Sequence, residues 1–156
     1  MKRKILFIGI GIFAVGFIFY FLTWSFAPRS YARAETYDRN ISEKNLIEIL
    51  NEVKAENNLN TNSFSDHKKG HWNSIYFEYK DKNQIIHILT RPVTKTKTTF
   101  YFSGCKNKLD VGNWTDANEY FWWWKNSKAK QEFEKRILEK IKEKIKNESP
   151  TNRNKA

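Results

Sequence analysis

The stretch 74-SIYFEYKDKNQIIHILTRPVTKTKTTFYFS-103 holds three strand signals separated by short polar breaks. Ser74 to Lys80 alternates, with Ile75, Phe77 and Tyr79 on one side and Tyr76, Glu78 and Lys80 on the other. That period of two is the mark of a strand. Asp81, Lys82 and Asn83 make a polar break suited to a hairpin. Gln84 to Arg91 is apolar on both sides, with Ile86 and Ile88 set against Ile85 and Leu89. Such a strand is expected at the centre of a sheet covered on both faces. Pro92 cannot donate to a ladder and is read as its end. Thr96 to Ser103 forms the third strand, with Phe100 and Phe102 opposed to Thr99 and Tyr101. The short connections predict an antiparallel meander.

Outside this core the period changes to that of a helix. Leu46, Ile47, Leu50 and Val53 define one apolar face over Ile41 to Asn57. Ser42 is its N-cap, and Ile41 and Leu46 form a hydrophobic staple across it. Glu48, Glu52 and Glu56 lie four apart and read as a solvated acidic face. A second helix is predicted over Ser127 to Asn147, with Phe133, Ile137, Leu138, Ile141 and Ile145 as its stripe. Glu132 and Arg136 support it in the favoured order, and Pro150 stops it before a polar tail. Asn60 to Asn73 and Gly104 to Trp114 read as loops. Tyr120 to Trp124 fits either a fourth strand or a short helical or irregular segment, the latter being preferred. The fold class is therefore α+β, a two-layer domain in the order α-β-β-β-(short α or β)-α with an antiparallel sheet.

Ahead of this domain stands the apolar run Ile5 to Ala27, which carries no charge and follows Lys2, Arg3 and Lys4. About 23 helical residues span about 34 Å, enough to cross a hydrocarbon core of about 30 Å. The core of a cleaved signal peptide is shorter and ends at small residues. This run ends in Phe19, Tyr20, Phe21, Leu22, Thr23, Trp24, Ser25 and Phe26, so an uncleaved signal anchor is expected. Tyr20 and Trp24 suit an interfacial aromatic belt. The basic N-terminal cluster places the N-terminus in the cytoplasm and the domain outside it, in the periplasm of a Gram-negative cell. Gly9, Gly11 and Gly16 form no GxxxG pair, so tethering is the expected task of the run. The chain then divides into a cytoplasmic tip and anchor (1–28), a juxtamembrane linker (29–40), an extracytoplasmic α+β domain (41–148) and a polar tail (149–156).

The net charge is +11, and the part after the anchor retains +8 once Lys2, Arg3 and Lys4 are set aside. A basic domain of this kind attracts anionic headgroups or an acidic protein partner. The basic and aromatic stretch Lys95 to Lys106 would be compatible with stacking on nucleic acid, but the extracytoplasmic topology argues against that partner. The single cysteine, Cys105, excludes a disulfide-stapled scaffold.

Motifs for chemistry are sparse. Cys105 with His67, His71 or His87 as base is the only constellation that could support an enzyme, with Lys106 and Lys108 nearby to favour the thiolate. His67 and His71 share four-residue spacing, but Gly70 breaks the helix that a shared metal would need, and Lys68 and Lys69 repel cations. The spacing of Gly11 and Gly16 mimics a phosphate loop, yet Phe17 stands where its lysine belongs. No cofactor and no metal are therefore expected. Trp122, Trp123 and Trp124 cannot all face one core in either a helix or a strand, so at least one indole is expected at the surface. With Lys125 and Lys128 they form the candidate binding surface, the competing reading being a corner of the core. The function expected is that of a single-pass, membrane-anchored, non-enzymatic binding or accessory protein, immunity-like or part of an envelope complex.

Overall fold

β-Strand pairing starts earlier in the chain than the hydrophobic pattern indicates. The computed structural model describes residues 2–25, 33–109 and 113–148. Glu35–Arg39 forms strand β1, inside the stretch read as a linker. It runs antiparallel to β5 (Lys97–Asn107), with Tyr37 opposite Phe100. Only one of its five side chains is aromatic or aliphatic, so no run marks it. Tyr37 nonetheless stacks on Phe100 at 5.3 Å and its hydroxyl donates to Glu134 at 3.1 Å. The rest of the tether-to-domain stretch (26–32), Pro28 and the tail 149–156 with Pro150 lie outside the described residues.

Helix α2 (Glu43–Glu56) forms where its cap and apolar residues place it, except that Ile49, and not the expected Ile47, completes the fully buried face. The Ser42 hydroxyl accepts from the Asn45 amide at 3.3 Å, and Leu46, Ile49, Leu50 and Val53 are buried. After it, His67–Lys69 (β2) turns through Gly70, at φ +61, to pair with β3 (Trp72–Tyr79), so part of the expected polar loop is an edge strand. A 3-10 turn at Lys80–Lys82 and a left-handed Asn83 lead into β4 (Gln84–Thr94). The strand does not stop at Pro92, which lies opposite Thr98 in β5. Pairing with β3 ends at Thr90, so the prolyl nitrogen meets no ladder on that side, and a register shift follows between Pro92 and Thr94.

β5 likewise continues beyond Ser103, carrying Gly104, Cys105 and Lys106 into the sheet instead of a loop. A bulge sets Phe102 opposite Ile88 but Gly104 opposite His87. Two residues, Thr115–Asp116 (β6), pair with Cys105 and Gly104. The sheet order is β1-β5-β4-β3-β2, with β6 continuing the β1 edge of β5. The meander expected over residues 74–103 is its centre.

The C-terminal helical segment begins at Trp123, four residues before the expected start. It consists of α3 (Trp123–Phe133), a wide π-helical turn (Glu134–Leu138) and α4 (Glu139–Glu148). Phe133, Ile137, Leu138 and Ile141 are buried against Ile75, Phe77, Ile86, Ile88, Phe100 and Phe102. α2 lies in the same layer, and Lys144 bonds Glu52 and Glu56, both at 2.8 Å. The acidic face of α2 stays solvated as expected, with Glu52 and Glu56 both more than half exposed although Lys144 of α4 reaches them. The domain is α+β in two layers, both helical segments packing on one sheet face.

Ile85 and Leu89 face the other way and are also fully buried. That face is covered by aromatic side chains: Phe64 stacks on Tyr76 at 5.1 Å, and Trp114 lies 5.4 Å from His87. The central position expected for β4 follows from this double cover. Separately, α1 (Lys2–Ser25) is long and apolar enough to span a membrane or act as a signal anchor.

Candidate functional site

The chain enters α3 through a segment that cannot bury its aromatic groups. Asn126 is buried, and its amide grips the backbone of Tyr120 twice, accepting from the N–H at 2.9 Å and donating to the carbonyl at 2.8 Å. This clamp holds Tyr120–Trp122 as a bend directly before the helix. The segment is irregular and then helical, in line with the preferred expectation. Trp122, Trp123 and Trp124 are 43%, 69% and 52% exposed. Trp122 and Trp124 stack at 4.9 Å, and Trp123 meets Trp124 edge-on at 6.0 Å. The three indoles cover one another instead of the core and form an exposed ridge.

Lys125 and Lys128, one and four residues further on, are exposed. Both line a cleft of about 380 Å³ between α3 and the ends of β3, β4 and β5. Its floor is Ile86, Phe102 and Cys105, and Tyr79 and Ala129 form walls. Ionic groups close one rim. Lys82 binds Glu132, Arg136 binds Glu132 at 3.0 Å, and Arg136 also reaches Asp81 through two bonds of 2.6 and 2.7 Å. The Arg136 guanidinium lies over the Tyr79 ring at 4.6 Å. Burial raises the Tyr79 phenol pKa far above its ordinary value, and the hydroxyl has no hydrogen-bond partner among the described residues. Lys125 rests over the Tyr120 ring at 5.8 Å. Neither Lys125 nor Lys128 has a carboxylate partner among the described residues.

The exposure of the indoles follows from the sequence, whereas the cleft does not. The cleft needs Tyr79, Ile86, Phe102 and Cys105 from three strands to meet one helix, and no local signal reports that. The four-residue strand extension (104–107) that carries Cys105 into the floor is equally silent, because Gly104 and Lys106 around it read as a loop.

Cys105 and the histidines are not brought together. Cys105 packs with the core on the helix-covered face, opposite Ile86. His87 pairs with Gly104 and points to the other face, where it lies flat on Tyr76. His67 stacks on Tyr76 from the same side, and His71 follows the β2–β3 turn at the far edge of the sheet. Burial raises the Cys105 thiol pKa, with Glu132 adding to the effect. This is the reverse of what a nucleophilic thiolate requires. Among the described residues no three His, Cys, Asp or Glu side chains cluster as metal ligands.

The stretch Lys95 to Lys106 does not present a stacking platform. Phe100 and Phe102 are in the core, and Tyr101 packs edge-on to Trp72 at 5.1 Å. Compared with known proteins, the chain matches no family model, no curated protein and no solved structure.

Proposed function

We propose that this chain is a membrane-anchored, non-enzymatic binding or accessory protein. α1 acts as an uncleaved single-pass anchor with the N-terminus in the cytoplasm, and the α+β domain lies on the other side of the membrane. The basic domain meets an acidic protein or envelope partner through Trp122, Trp123 and Trp124, flanked by Lys125 and Lys128. One observation carries this reading: three consecutive indoles stay exposed, with Tyr120 beside them, in a domain whose other described aromatic side chains are buried or half-buried. Contiguous exposed apolar surface of this kind marks an interaction site, and tryptophan is the residue most enriched where binding energy concentrates. The positive charge beside the ridge favours an acidic counterpart and speeds encounter with it.

The test is crosslinking in native membranes of the full chain against the Trp122→Ala/Trp123→Ala/Trp124→Ala variant. A specific partner should be retained by the first and lost from the second, and Lys125→Glu/Lys128→Glu should weaken it. Identical partners in all three would remove the ridge from the function. Protease accessibility of the domain in intact cells and spheroplasts tests the topology, and protection in both would place the domain in the cytoplasm.

A further inference from the structure

We propose that the cleft between α3 and the ends of β3, β4 and β5 binds a small amphipathic anion, a carboxylate or sulfonate on an apolar body. The cleft holds about 380 Å³, within the range of small-molecule sites. Its floor is apolar: Ile86 and Phe102 are buried, and the protonated Cys105 thiol behaves as a small apolar group. An occupant therefore gains by placing hydrocarbon there.

The charge of the mouth selects the sign of the other end. Lys82, Glu132, Arg136 and Asp81 satisfy one another and sum to zero. Lys125 and Lys128 are left as two positive charges without a carboxylate partner among the described residues, both lining the opening. They lie three residues apart on one helix, so both ammonium groups can reach one anionic head. A cationic amphiphile would meet these lysines with repulsion. A nucleotide would need more phosphate donors than two lysines, and among the described residues no glycine-rich loop borders the cleft. The site shares Lys125 and Lys128 with the ridge surface but uses none of its indoles.

Cys105, the sole thiol of the chain, is partly exposed in the floor and reports on occupancy. The full chain in phosphatidylcholine nanodiscs is alkylated with N-ethylmaleimide, and the rate is followed by intact mass. Naphthoate and octanoate are titrated, with naphthylmethylammonium and naphthylmethanol as the cationic and neutral comparators. At least one anion should slow alkylation saturably, by about tenfold at saturation, as expected for a ligand seated over the thiol in the cleft floor. Lys125→Gln/Lys128→Gln, which alters only exposed side chains, should raise the half-saturating concentration about fivefold. Ala129→Phe, which fills the cleft, should abolish the anion dependence. The proposal is overturned if neither anion protects Cys105, if the ammonium or alcohol protects as well as the anions, or if the double lysine variant binds unchanged. The three tryptophans are untouched throughout, so failure here leaves the ridge reading standing.

Discussion

His87 and Tyr76 face one another across the β3–β4 ladder, their rings 4.7 Å apart and within 9° of parallel. Phe64 and Trp114 pack on the same cluster. The imidazole is enclosed by aromatic groups, and its Nε2 has no hydrogen-bond partner among the described residues. Burial, with His67 nearby, pushes its pKa down to about 4 from 6.5.

That depression makes stability pH-dependent. Between about pH 6.5 and about pH 4 the unfolded chain binds a proton at His87 and the folded chain does not, so stability falls as pH falls through this window. The loss is at most about 3.5 kcal/mol, since each pKa unit corresponds to about 1.4 kcal/mol. His87→Phe keeps an aromatic ring against Tyr76 and removes the titration. Urea denaturation at about pH 7 and about pH 5 should show a steep loss for the parent and a distinctly smaller one for the variant. Equal losses would assign the acid sensitivity to other groups. Asp38 and Asp81, whose pKa values are lowered by Lys97 and Arg136, give up their contribution at lower pH than this.

Gly104 is required by the crossing of β6. A Cβ there would overlap the Thr115 carbonyl oxygen and press on Asp116 Cα, both backbone atoms that cannot swing aside. Gly104→Ala should therefore cost about 2–3 kcal/mol or detach β6, exposing the amide of Ala117 that bonds the Ser103 carbonyl. Hydrogen exchange at Ala117 distinguishes this local release from general unfolding.

Lys54 is buried with its ammonium 2.6 Å from Asp66, whose second oxygen accepts from the Tyr76 amide at 2.9 Å. Removing the acid strands a buried cation, whereas removing the lysine leaves a carboxylate that water can reach. Asp66→Ala should destabilise by about 3 kcal/mol and Lys54→Met by about 1 kcal/mol or less. Paired denaturation curves check the asymmetry, and equal costs would show that the ion pair itself dominates.

Asn126 holds the bend that directly precedes the indole ridge. Asn126→Ala removes both bonds to Tyr120 and should cost about 1–3 kcal/mol. Asn126→Asp replaces the donor with a buried carboxylate oxygen facing the Tyr120 carbonyl and should cost at least as much. The Tyr120 amide should exchange faster in Asn126→Ala, and partner crosslinking through Trp122–Trp124 should weaken even though no tryptophan has changed.

Strongly periodic segments could be read without coordinates. The alternation of Ile75, Phe77 and Tyr79, the doubly apolar run at Ile85–Leu89 and the stripe from Phe133 to Ile141 each encode burial in local order. So does the cap at Ser42, because a hydroxyl beside orphan amides acts over three residues. The length of the N-terminal apolar run and the surplus of indoles at Trp122–Trp124 were equally legible, as both follow from covalent spacing alone. What these patterns could not convey is pairing at a distance. β1 and β2 carry few apolar groups and exist because β5 and β3 offer them open edges. Pro92 stays in its strand because its neighbour on one side has already ended. Cys105 joins the floor of a cleft because a bulge after Phe102 shifts the alternation of its own strand, whereas His87 takes the opposite face by simple alternation with Ile86 and Ile88. Each outcome rests on hydrogen bonds and contacts between residues far apart in the chain, where the energy depends on which partner is present and not on the residue's own neighbours.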